Sequence, residues 1–171
     1  RHPGFVQPVH FHGLESSARA SGAQCRIVCE MAREVSAPAP GSNAVSPDAV
    51  ACVEEVFAAG ACLLKWIPLH HNIDWADRRT HAVLRRCAEL GLPILVHCGE
   101  EFTLTTQCPA HRALRPLLEV LRKLRPGNGM PTVIVAHVAT PVLSWSRDES
   151  HQLLLAALAG EFGHAPLYAD I

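Results

Sequence analysis

LPILVHCGEE, residues 92–101, sets a short apolar run directly against a histidine and, three residues on, a pair of carboxylates. An apolar run without polar alternation is the pattern of a strand covered on both faces, and so of a parallel sheet. Three further runs repeat it: ACLLKWI (61–67), PTVIVAHV (131–138) and PLYADI (166–171). The starts at 61, 92, 131 and 166 lie 31, 39 and 35 residues apart, which is the length of a strand plus a crossover helix.

The segments between these runs carry helical periodicity. Ser46-Pro47-Asp48 has the form of a helix start, with Ser46 as N-cap and Pro47 at the first helical position. Val50, Val53, Val56 and Phe57 follow at helical spacing, and Gly60 supplies a stop. Residues 78–90 place Val83, Leu84, Cys87 and Leu90 on one face ahead of Gly91. Residues 112–124 carry the stripe Leu114, Leu117, Leu118, Leu121 and Leu124, and Asp148 opens a helix bearing Leu154, Leu155, Leu158 and Phe162. The alternation defines an α/β fold of parallel strands with outer helices, while its period alone suits both a barrel and an open sheet. No Gly-rich phosphate loop follows any strand, which counts against a nucleotide-binding open sheet. Residues 13–45, with SAPAPGSNAVSP running into the next segment, read as a poorly ordered loop or insertion holding one short helix or strand near 26–33. FVQPVHFH (5–12) reads as a further strand.

With 171 residues, 49% apolar, 18% charged and a formal charge of −1, the chain lacks the clustered basic excess of a nucleic-acid binder. It also has no apolar stretch of about 20 residues that would span a membrane. Its seven cysteines include no C-x-x-C pair, which excludes the common zinc-ribbon and thioredoxin-like patterns. Cys52, Cys62 and Cys87 sit among apolar residues as small hydrophobes, and a reduced, cytoplasmic setting is expected. The expected partner is a small-molecule substrate, and a homo-oligomer is compatible with these numbers.

Lys65, His97, His137 and Asp170 each fall at or near the C-terminal end of an apolar run. A parallel sheet gathers those ends on one side, and in a barrel they converge on the mouth. Histidine, carboxylate and lysine are the residue types that hold a divalent metal and handle a hydrolytic water. A lone strand histidine is more often a satisfied core residue, whereas for two at equivalent places on consecutive strands ligation and a structural role weigh equally. The plain role of Lys65 is a structural ion pair, since a buried lysine needs a partner.

GACLLKWIPLHHNID (60–74), LPILVHCGEE, TVIVAHVATP (132–141) and PLYADI resemble the middle strands of the metal-dependent amidohydrolase superfamily, in its amidohydrolase-related branch. Cys98 stands where that branch has Thr, and Val138 where it has Cys. The resemblance implies a hydrolase on a (β/α)₈ TIM barrel with one or two divalent metals, zinc first and manganese or iron as alternatives. It makes His97 the fifth-strand metal ligand, and His137 the sixth-strand ligand or catalytic group that orients the attacking water. Lys65 falls on the strand that bears a carboxylated bridging lysine in binuclear members. Glu100, Glu101 and Asp170 become substrate contacts or supports for the ligands. The same branch contains decarboxylases, so cleavage of a C–N or C–O bond is not separated from C–C cleavage; a non-catalytic α/β domain with structural histidines is the rival from another class.

His10 and His12 have the His-x-His spacing of the family's first-strand metal pair. Only 48 residues separate His12 from Ala61, however, whereas two further strands and three helices would take roughly 100 at this period. FVQPVHFHG therefore resembles the third strand instead. On that count residues 1–171 form one partial barrel of about strands three to seven, Arg1 and Ile171 are internal ends, and the chain alone is expected to have little or no hydrolase activity.

Overall fold

A computed structural model describes residues 26–29, 48–99, 108–124, 130–139, 149–162 and 167–170. The chain is α/β, with an all-parallel sheet. Strands β2 (Ala61–Trp66), β3 (Ile94–Val96), β4 (Val133–Val135) and β5 (Leu167–Ala169) lie side by side in chain order. Strand β1 (Arg26–Cys29) extends the sheet beside β2, with Cys29 opposite Lys65. Of the two elements expected near 26–33, the strand is the one formed. The strand expected at 5–12, with His10 and His12, lies outside the described residues, as do Glu100 and Glu101.

Helices α1 (Ala49–Ala58), α3 (Arg78–Leu90), α4 (Leu114–Leu124) and α5 (Glu149–Leu158) pack on one face of this sheet. Strand residues alternate between faces, and the register sorts them. Leu64, Ile94 and Val133 form one row; Trp66, Val96 and Val135 form another on the same face. These residues join Val53, Val83, Leu84, Leu117, Leu121 and Leu154 in the main core. The opposite face carries the row Lys65, Leu95, Ile134 and Tyr168. There Leu63, Leu95 and Ala136 form a second, smaller cluster to which none of the described α-helices contributes.

Local chemistry explains where elements begin and end. Helix α1 starts at Ala49 with Asp48 as N-cap, and the Asp48 carbonyl accepts the first intrahelical bond from the Cys52 N–H at 3.0 Å; Ser46 and Pro47 lie outside the described residues. Helix α3 matches residues 78–90: Asp77 accepts from the Arg79 N–H at one end, and Gly91, at φ +65°, closes the other in the left-handed region that glycine tolerates. Helix α4 starts at Leu114 rather than 112. The ring of Pro116 clashes with a helical carbonyl four residues back, so Pro116 fits only in a first turn, and a separate 3₁₀ turn (Pro109–Arg112) precedes it. The strand expected over 131–138 spans only Val133–Val135, and from His137 the backbone turns left-handed. Phe162 lies beyond the end of α5 but still packs against the core.

Cys87 is buried in the core, and burial pushes its thiol up to about 12, so it behaves as the apolar filler expected. Cys62 departs from that expectation: it is disulfide-bonded. No helix among the described residues is long and apolar enough to cross a membrane.

The two-layer packing makes a plain contrast. Leu64→Ala, which empties a fully buried position between β2 and the helices, should cost about 2–5 kcal/mol. Leu155→Ala, at a position 47% exposed on α5, should stay within about 0.5 kcal/mol. Urea unfolding of both variants against the parent measures the difference.

Candidate metal centre at the strand ends

The C-terminal ends of β3 and β4 bring His97 and His137 together. Their rings meet edge to face, with centroids 5.8 Å apart. His97 is 3% exposed and its backbone N–H donates to the Trp66 carbonyl at 2.9 Å, which pins the end of β3 to β2. Gly99, at φ +103°, then turns the chain away, and its N–H donates to the Arg112 carbonyl at 2.8 Å. A side chain there would be strained, so the His-Cys-Gly order suits the turn that ends the strand.

His137 is held differently. It is exposed and stands on a turn in which His137, Val138 and Ala139 have φ of 53°, 48° and 54°. Left-handed backbone at a non-glycine residue costs about 1–3 kcal/mol, and for a β-branched valine it is a marked outlier. The neighbouring elements hold the turn. Asp170, directly after β5, accepts the His137 N–H on its side chain and the Val138 N–H (3.0 Å) on its carbonyl. The Asp170 N–H donates to the Val135 carbonyl at 3.1 Å. On the other side, His151 of α5 donates its Nδ1–H to the Val138 carbonyl at 2.9 Å. Asp170 thus joins the site through the backbone beneath His137.

Lys65 is half-buried, and among the described residues the expected structural ion pair is absent. Its electrostatic neighbour is His71, on the short helix α2 (Pro68–His71) that leaves β2 directly. Trp75 packs on Trp66 at 5.7 Å, the Asp74 carbonyl accepts from Thr80, and the Trp75 carbonyl accepts from His81 Nε2 at 2.7 Å; together these fold PLHHNIDW over the end of β2. His71 Nδ1 accepts the Ile67 N–H at 3.2 Å. Burial, then the adjacent His70 (rings 5.2 Å apart) and Lys65, lower its pKa to about 4.

No group of three or more His, Cys, Asp or Glu among the described residues is arranged to hold a metal ion. The structure pairs His97 with His137, seats Asp170 under the pair, and leaves Lys65 beside His71. Sequence reasoning missed His71 and His151. The available signals were an adjacent histidine pair directly after a strand, and a histidine three residues before the core residue Leu154. Among known proteins no family model, curated protein or solved structure matches the chain.

The buried neutral His71 sets a pH dependence. Below pH 6.5 the unfolded chain takes up a proton that folded His71 refuses until about pH 4. Its contribution is therefore complete above about 6.5 and is lost as pH falls toward about 4. His111, whose pKa burial also lowers, adds to the same slope. His71→Asn keeps an acceptor for the Ile67 N–H without titrating, so the variant's urea midpoint should fall less between pH 7 and 4 than the parent's. Identical profiles would contradict this.

Proposed function

We propose that the chain is part of a (β/α)₈-type barrel hydrolase, and that His97 and His137 are two protein ligands of a divalent metal, zinc first, at its mouth. The observation that carries this is the His97–His137 pair at 5.8 Å on adjacent parallel strand ends. Two imidazoles on one zinc, with Zn–N near 2.0–2.1 Å, place their ring centroids roughly 5–6 Å apart. The strand order supports the barrel: it runs sequentially without reversal, with the helices on one face, whereas a doubly wound sheet reverses at a switch point.

Two ligands are a partial set, since catalytic zinc sites use three protein ligands and an open position. Lys65 is the described candidate for extending it; His10 and His12 are candidates outside the described residues. A bound divalent metal would supply a water with a pKa near 7 and polarise a substrate carbonyl. Exposed His137 would face that water and substrate, and buried His97 would anchor the ion from behind. Asp170 would hold the backbone of His137 rather than the ion itself.

Elemental analysis and equilibrium dialysis with zinc test the reading. The parent chain should retain zinc, and His97→Ala and His137→Ala should each weaken it at least tenfold. Absence of retained metal, or unchanged retention in both variants, would favour structural histidines in a non-catalytic domain. Hydrolysis of simple amides and esters by the zinc-loaded 171-residue chain should be slight or absent, because the ligand set is partial; rapid turnover would show that it suffices.

A further inference from the structure

We infer that His151 of α5 is a positioning residue for the His97–His137 pair, acting through its Nδ1–H bond to the Val138 carbonyl. This rests on the proposed role of that pair. The left-handed run His137-Val138-Ala139 is disfavoured for each of its residues, so it persists only where neighbours hold its backbone. Strand β5 holds the two N–H groups at 137 and 138 through Asp170, and α5 holds the Val138 carbonyl through His151. The α5 side is rigid, because Leu154 and Ala157 of the same helix are buried in the core. A carbonyl only accepts, so Nδ1 carries the proton and the ring's tautomer is set by this contact. Without that donor the Val138 peptide can rotate out of the left-handed region toward extended backbone. The side chain of His137 then swings away from His97. No sequence spacing connects residues 137 and 151; α5 and the end of β4 meet only in the fold.

Asn, Gln and Leu separate the donor from the ring. Asn places an amide N–H where His has Nδ1; Gln places it farther out, and Leu removes it. Two readouts are used on the parent and on His151→Asn, His151→Gln and His151→Leu. The first is the ring-proton nuclear Overhauser cross-peak between His97 and His137 in the metal-free chain. The second is zinc affinity by dialysis with zinc alone. His151→Asn should keep the cross-peak and bind zinc within about threefold of the parent. His151→Gln and His151→Leu should lose the cross-peak and bind zinc about 10–100-fold more weakly, the usual range for loss of a group that orients a ligand. A cross-peak retained in His151→Gln, or lost in His151→Asn, would overturn the inference even if the leucine variant fails to fold. A parent that binds no zinc would overturn the metal reading instead, and the cross-peak would still decide the role of His151.

Discussion

The burial of one face of the parallel sheet is the constraint on which the rest depends. Leu64, Trp66, Ile94, Val96, Val133 and Val135 face the helices and are all but fully buried. Taking such side chains out of water contributes about 1.5–3 kcal/mol apiece, which is why apolar residues fill each strand. Parallel pairing then puts every strand's C-terminal end at one edge. Lys65, His97, His137 and Asp170 owe their place at or near that edge to this geometry, each falling at or just past the C-terminal end of a strand.

The strand ends hold their histidines in opposite ways. His97 is buried, with its backbone continuing the pairing of β3 onto β2. His137 is exposed on a turn that its own residues disfavour. Strain of this kind is retained when surrounding structure over-determines it, and such places concentrate at sites of ligand contact. Here β5 and α5 bond the same turn from two sides, so the aim of His137 depends on elements that follow it in the chain. On the short helix after β2, burial, then His70 and Lys65, lower the pKa of His71 to about 4, so it is neutral near pH 7.

Much of the fold was legible in residue order. The continuous apolar runs placed β2 to β5, and the helical stripes placed α1, α3, α4 and α5, with Gly91 marking one end correctly. Boundaries shifted where a backbone detail intervened: Pro116 confined α4 to start at Leu114 rather than 112. Strand β4 stopped three residues early because its end turns left-handed, a conformation that valine in AHVA gives no reason to expect. The disulfide at Cys62 was equally hidden, since an apolar neighbourhood is the same for a thiol and a bridged sulfur.

The sequence by itself determined the α/β class, the parallel strands and the placing of ionisable residues at strand ends, because periodicity and burial are local properties of residue order. Only the tertiary structure decided which of those residues meet. It set His97 against His137, turned Asp170 onto the backbone beneath the pair, brought His151 from a helix 14 residues away in sequence, and placed Lys65 beside His71. These contacts join separate strands and helices, and register and backbone turns fix them in ways that no spacing along a single chain can encode.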